Sequence, residues 1–369
     1  MLTRFLRQEA LGPAGCADVD NSVDNRPSAG IVWVFEGREH TLCAFHRLAY
    51  PKLWRSWILV RVRGQAAVVR DTFLNRWTYG RGADVVVCVA DVVRARIPFA
   101  KSLPAVAVFP FCSRFARESS PAPALEGSPE EPLAFLDETP PIDPRLPLFL
   151  VVGRFDPVKG HLALLQAFGE FARRLPVPSS TGTPEQLRAT LPVQLVFVGR
   201  SENVLAQSLV ERTVEAWKGT VVTHGTRAFV EGCEGRARLF VFDERVEDVH
   251  RLMRISHFGI VPSLGSEVIC RVAVEFLQSG TPLLSSTAGA LAEIIPEEVG
   301  VFFSPGDDVD FRRALAEAYE CVLATSVHSR MRADARDIGR RTYSEENYSR
   351  LVEIVGELSR ATREPWRLS

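Results

Sequence analysis

Short runs rich in Val, Ile and Phe alternate along this chain with amphipathic stretches of helical length, and that alternation is what most limits the folds open to it. A run such as Leu148 to Val152 is too short for a helix, while the stretch after it repeats its apolar residues at spacings of three and four. Repetition of that pair is the pattern of an α/β protein with doubly wound parallel sheets, rather than of a bundle or a sandwich. The 369 residues, 46% hydrophobic and 24% charged, suffice for two domains with sizeable cores, which excludes disorder and fibrous architecture. No run approaches the roughly 18 apolar residues of a membrane-spanning helix, and the opening MLTRFLRQEALG is too short and too charged for a secretory signal. The expected compartment is the cytoplasm.

The seven cysteines lie far apart with no C-x-x-C pair, so neither a zinc site nor a disulfide framework is indicated. Charge is unevenly spread: residues 1–120 carry 17 Lys+Arg against 10 Asp+Glu, and residues 121–369 carry 27 against 35. Drift explains such a split as readily as function does; the functional reading is a basic front half that meets an anionic membrane surface or an acidic acceptor. No Lys/Arg run has interleaved aromatics, which argues against nucleic acid.

Strands are expected at Ile31 to Val34, Ile58 to Val62, Val85 to Val89 and Ala105 to Phe109, with a helix over Asp71 to Tyr79. Residues 118–147 are dense in Pro, Ser and acidic residues and form the expected connection between domains. Beyond them come strand Leu148 to Val152, helix Gly160 to Leu175, strand Gln194 to Val198, a helix from Val204 to Trp217, and strands Val221 to Thr223 and Leu239 to Phe242. Helix Val246 to Ile255, strand Phe258 to Val261, helix Ile269 to Gln278, and strands Leu283 to Ser286 and Val301 to Phe303 follow. The tail from Glu345 to Arg363 has a helical stripe that fits packing across both domains. The stretch PVPSSTGTPEQLRATLP reads as a surface loop without chemistry.

Two nucleotide signatures are missing: there is no complete G-x-G-x-x-G and no G-x-x-x-x-G-K-[ST], which argues against nicotinamide cofactors and P-loop chemistry. The chain does carry LFLVVGRFDPVKGH. Its strand ends at Gly153 and is followed by Arg154 and Lys159, at the kind of strand end where open α/β sheets bind ligands. Two cations there could neutralise a diphosphate; the plain alternative is a pair of solvated loop residues. Only four lysines stand against 40 arginines, so a lysine at this point favours a role. The second constellation is VPSLGSEVICRVAVEFLQSGTPLL, in which a small-residue loop from Ser263 leads through Glu267 into a helix containing Glu275. Its first N–H groups form an anion site. Glu275 sits among apolar neighbours, where a carboxylate needs a partner such as a ribose or sugar diol; a solvated helix face is the alternative.

In order, Gly153-Arg154, Lys159-Gly160, LVFVG, Pro262-Ser263, Glu267 and Glu275 at E-x7-E spacing, Gly280-Thr-Pro282 and Glu293-Ile-Ile resemble the donor domain of retaining family-4 glycosyltransferases with the GT-B fold. The likeness covers roughly residues 145–345, and a looser one extends through LVRVRGQ and FLNRWTYGRGADVVVCVA to the acceptor domain of members that build lipopolysaccharide or other cell-surface glycans. It implies two Rossmann-like doubly wound domains facing across a cleft, divided as 1–140 for the acceptor side, 141–345 for the donor side, and a C-terminal helix, 346–369, crossing back. It also implies transfer of a sugar with retention from a nucleotide-diphosphate donor, with no metal and no cofactor. By the same resemblance Arg154 and Lys159 hold the diphosphate and stabilise the leaving group, and Glu275 takes the ribose hydroxyls. Glu267 lies beside the donor sugar, Gly153 and Ser263 line the donor site, and the N–H groups of Val268, Ile269 and Cys270 face the phosphates. The base rests near the loop after Phe242.

The front half departs from the pattern. Roughly 60 to 80 residues of first strand and glycine-rich loop are expected ahead of Ile31 by the usual size of a half-domain, so the N-terminal domain reads as incomplete. Residues 11–30 are polar and turn-forming. Gly64 occupies the strand end where many members carry a histidine facing the sugar; His40 and His46, read as preceding a helix, and Asp71 with Arg70 are the other acceptor-side candidates. The leading expectation is thus a transferase at the cytoplasmic face, in peripheral contact with the membrane through its basic half. A catalytically impaired, donor-binding or partner-dependent relative is the second reading and a mis-assigned start the third. A nucleotide-sugar epimerase would want acid/base groups across the cleft that the sequence does not offer.

Overall fold

The computed structural model describes residues 30–112, 133–177, 190–265 and 267–363. The chain forms two compact units, one holding the described residues up to Phe109 together with those from Ser349 onward, the other Pro110–Tyr348. Most of the expected loop over residues 176–192, the first half of the connection over 118–147 and all of residues 11–29 lie outside the described residues.

In the first unit, strands β1 (Gly30–Val34), β2 (Trp57–Arg63), β3 (Val85–Cys88) and β4 (Val106–Val108) form a parallel sheet in simple chain order. Ile31 lies opposite Ile58 and Val60 opposite Val85. Strand β3, VVVC, is buried along its whole length, as parallel strands covered on both faces are. Helix α1 (Gly37–Ala49) joins β1 to β2, and α2 (Phe73–Gly80), capped by Thr72 accepting from the Asn75 N–H, joins β2 to β3. A short α3 (Asp91–Ala95) follows β3. His40 and His46 therefore lie within a helix and not ahead of one. Helix α1 escapes a periodicity search because both its faces are apolar: Cys43 and Ala44 face inward, while Leu42, Phe45 and Leu48 stand exposed. The buried Asp84 carboxylate ties the unit together, accepting from the Leu59 N–H at 2.8 Å and from both Arg47 nitrogens at 2.8 and 2.9 Å.

In the second unit eight strands form one sheet: β5 (Leu148–Val152), β6 (Val193–Gly199), β7 (Thr220–His224), β8 (Arg227–Gly232), β9 (Ala237–Asp243), β10 (Phe258–Val261), β11 (Leu283–Ser286) and β12 (Gly300–Phe303). Their order is β12-β11-β10-β5-β6-β9-β8-β7, parallel except for β7 and β8 at one edge. The order reverses at β5, which pairs with β6 on one side and β10 on the other, so the crevice beyond the ends of β5 and β10 is a topological switch point. Strand β8 is additional to the sequence reading; a turn with Cys233 and Glu234 at φ of 53° and 58° folds it back on β9.

Helices α4 (His161–Ala172) and α5 (Ala206–Trp217) cover one face, and Phe149 and Phe197 of the sheet are fully buried together with Phe168 of α4 and Trp217 of α5. Gly169 makes room for the Trp217 ring, which a Cβ would meet at 2.5 Å, and the Trp217 indole donates to the Leu165 carbonyl at 3.0 Å. Helices α6 (Val249–Ile255), α7 (Arg271–Gln278) and α8 (Leu291–Ile294) follow β9, β10 and β11, and α9 (Asp308–Leu323), α10 (Thr325–Tyr343) and α11 (Asn347–Arg363) complete the chain. Residues 133–142, placed by sequence ahead of or at the domain boundary, group with this second unit: Leu133 bridges Ile142, and the buried Phe135 ring meets Phe240 and Phe242 edge-on at 5.1 and 4.8 Å. Among the described residues no helix is long and apolar enough to cross a membrane.

Candidate functional site

Three loops converge at the switch point, and small residues allow it. After β5, the Asp156 carboxylate caps a 3-10 turn (Pro157–Lys159) by accepting from the Val158 N–H at 3.0 Å, and accepts from the Asn203 amide at 2.6 Å. Both hydrogen bonds hold its carboxyl below the usual range. Gly160 then adopts φ +72°, and a Cβ there would lie 2.0 Å from the Pro262 carbonyl oxygen, so only glycine lets this loop touch the one after β10. The Leu264 N–H donates to the Val158 carbonyl at 2.8 Å and stitches the two together. From the loop after β11, Gly289 packs beneath Glu267, whose carbonyl accepts from the Ala290 N–H at 2.6 Å; the Ser286 hydroxyl donates to the Ser263 carbonyl, also at 2.6 Å.

The result is a cavity of about 300 Å³. It is lined by Gly153, Arg154, Lys159, Ser263, Glu267, Ile269 and Cys270, so most of the donor-side residues singled out in the sequence meet in one place. The Lys159 ammonium donates to Oε1 of Glu267, which also accepts from the Ser263 hydroxyl at 2.7 Å. Arg154 pairs with Glu202 at 2.7 Å, an exposed contact worth little and easily exchanged for a ligand.

Other expectations are corrected in detail. Helix α7 begins at Arg271 with Cys270 at its N-cap position. The unpaired donors at the helix start then begin with the Cys270 N–H and continue with Arg271 and Val272, so Cys270 keeps the place expected of it while Val268 and Ile269 lie ahead of the helix. Val268 does not line the cavity, and neither does Glu275, which lies one turn further along α7 and is half-buried. Burial raises the Glu275 carboxyl above its ordinary range, the positive charge of Arg271 opposing the shift. Full burial pushes the Cys270 thiol up to about 12, which keeps it protonated and unreactive.

Besides apolar residues of the strand ends, the sequence reading missed two polar residues that line this cavity, His161 and Arg271. His161 is buried between the rings of Phe155 and Phe197, and burial lowers its pKa to about 4, so the imidazole is neutral near pH 7. It is hidden in the sequence because it falls at the head of the apolar stripe of α4. The loop after Phe242 is anchored by Asp243, which accepts from the Ser201 N–H at 2.6 Å and hydroxyl at 2.7 Å. Beside it a second cavity of about 470 Å³ is lined in part by Ser201, Thr226, Arg227 and Asp243. Among the described residues no group of three or more His, Cys, Asp or Glu is placed to hold a metal ion.

The acceptor-side candidates all lie in the first unit. His40 is 2% exposed, its ring edge-on to Tyr79 at 5.3 Å, and burial lowers its pKa to about 4. It is a core residue and offers nothing to a ligand at the surface. Asp71 is exposed and forms a two-bond pair with Arg76 at 2.6 and 2.8 Å, and Gly64, half-buried, directly follows β2.

An α/β chain whose C-terminal sheet gathers two cations and a carboxylate at a switch point has the construction of a nucleotide-binding transferase domain. The chain belongs to the glycosyl transferases group 1 family, whose model matches residues 135–338. Its fold is GT-B. HepE of Anabaena, solved in complex with UDP, superposes with a TM-score of 0.58 at 14% identity over 90% of this chain and 78% of its own. A glycosyltransferase of Rickettsia africae gives 0.57 at 13% identity over 87% and 80%, and sucrose-phosphate synthase of Thermosynechococcus elongatus 0.53 at 16% over 92% and 74%. No curated protein matches the sequence.

Proposed function

We propose that this glycosyltransferase is a retaining, family-4 enzyme that moves a sugar from a nucleotide-diphosphate donor onto a cell-surface glycan or lipopolysaccharide-type acceptor without a metal ion or cofactor. The observation that carries the reading is the meeting of Arg154, Lys159 and Glu267 in one cavity at the ends of β5 and β10. Lys159 and Arg154 exchange their carboxylate partners for the diphosphate and stabilise the charge that grows on it as the glycosidic bond breaks. Once Lys159 lets go, Glu267, still held by Ser263, accepts from hydroxyls of the donor sugar. Glu275, with no hydrogen bond to its carboxylate among the described residues, takes the ribose diol, and its elevated proton affinity falls on contact. HepE, crystallised with UDP-glucose, supports a nucleotide sugar as the donor class.

The enzyme works at the cytoplasmic face of the membrane, in peripheral contact with anionic lipid. Residues 30–109 carry 12 Lys+Arg against 5 Asp+Glu, and the exposed Leu42, Phe45 and Leu48 on α1 with Phe73 on α2 supply apolar contact. A donor-binding relative without turnover is the second reading, favoured by the burial of His40, which leaves the acceptor side with Gly64 and a paired Asp71. Incubation with UDP-, GDP- and ADP-sugars in the presence of membrane glycolipid separates the two. Release of nucleoside diphosphate that drops at least about tenfold in Lys159→Met, with the donor's anomeric configuration kept in the product, supports the enzyme. Binding without release supports the relative, and neither binding nor release refutes both.

A further inference from the structure

Placing a diphosphate in the cavity leaves one lining cation without a role. Lys159 is engaged by Glu267 and Arg154 by Glu202. Arg271 lines the same cavity, is exposed, and makes no ion pair or side-chain hydrogen bond among the described residues. Its position also runs against local preference. It is the first residue of α7, where the helix dipole favours an acidic side chain and disfavours a cation. A residue that breaks a local rule at the lip of a cavity points to a ligand rather than to the helix.

We propose that Arg271 contacts the donor phosphates and sets the preference for nucleoside diphosphates over monophosphates. This rests on the donor-site reading above and adds to it a residue that the E-x7-E pattern does not specify. An anion held at the start of α7 meets the unpaired N–H groups of the first turn and the guanidinium together, which reverses the unfavourable placement of the positive charge. The planar fork of arginine matches two phosphate oxygens at once, a geometry lysine cannot reproduce. Lys159 and Arg154 each begin in an ion pair, whereas Arg271 acts on the nearby Glu275 carboxyl only through its charge and forms no ion pair among the described residues, so its guanidinium is free to turn to a second phosphate.

The test is calorimetric titration of the full chain with UDP, UMP, GDP, GMP, ADP and AMP, for the wild type, Arg271→Gln and Arg271→Lys. The wild type binds one diphosphate more tightly than its monophosphate. Arg271→Gln weakens the diphosphate by at least about tenfold and the monophosphate far less, so their ratio collapses, while Arg271→Lys keeps part of it. The unliganded melting temperature of Arg271→Gln stays at or slightly above that of the wild type, since the side chain is exposed and disfavoured by the dipole. A wild-type ratio in Arg271→Gln overturns the assignment and leaves the donor site standing. A wild type that binds none of these nucleotides overturns both.

Discussion

Replacing Gly160 by alanine probes the contact on which the site is built. The residue has φ +72°, which costs a residue with a Cβ about 1–2 kcal/mol. The new Cβ would also stand 2.0 Å from the Pro262 oxygen, inside any real contact, so the loop after β10 must withdraw; overpacking of this kind costs about 1–3 kcal/mol. Together these remove about 2–5 kcal/mol from the second unit, or roughly 4–20 °C of melting temperature for a unit of its size. Gly225→Ala is the control, because Gly225 also has a positive φ, +60°, but nothing lies within 4 Å of the added carbon. It bears the backbone cost alone, about 1–2 kcal/mol. Differential scanning calorimetry of both variants isolates the collision. Because withdrawal of the Pro262 loop carries Glu267 away from Lys159, Gly160→Ala also loses nucleotide affinity while Gly225→Ala keeps it. Equal melting temperatures for the two variants would refute the close approach of the loops.

Three further outcomes are expected. Asp84→Ala leaves the Leu59 N–H and the Arg47 guanidinium without their acceptor and costs the first unit about 3–5 kcal/mol, measured by denaturant unfolding with the intrinsic tryptophans Trp54 and Trp57 as probes. His161 and His40 bind the proton only when unfolded between pH 6.5 and about 4, so their stabilisation is complete above pH 6.5 and falls as the pH drops. The loss is about 1.4 kcal/mol per pH unit for each, and a His161→Phe variant should show a shallower decline in calorimetry of the second unit. Finally, the chain should sediment with vesicles containing phosphatidylglycerol and not with pure phosphatidylcholine, and Leu42→Ser with Phe45→Ser should abolish this; equal recovery with both vesicle types would argue against the anionic surface.

The parallel strands are readable because they are short and apolar, whereas the antiparallel β8 is not, and the cations at the end of β5 stand out in a chain that has only four lysines. Other features depend on information that periodicity does not carry. Helix α1 has apolar residues on both faces, so no stripe marks it. Arg271 looks like any solvated arginine until the helix boundary is known, because only then is it a cation at the wrong end of a dipole. His40 reads from sequence as a histidine ahead of a helix, but it lies within α1, whose turn carries it inward against Tyr79. The convergence of Gly160, Pro262 and Gly289 joins positions far apart in the chain, and their motifs became one site only through the sheet order.

The central claim is that one cavity at the ends of β5 and β10 binds the diphosphate of a sugar donor, and the most direct measurement is a thermal-shift panel of nucleotide sugars on the wild type and on a Lys159→Met, Glu275→Ala double variant. A ligand at 100 times its dissociation constant adds about 2.7 kcal/mol, so one nucleotide sugar should raise the wild-type midpoint by several degrees and leave the double variant unmoved. An equal shift in both proteins, or none in the wild type with any donor, would contradict it.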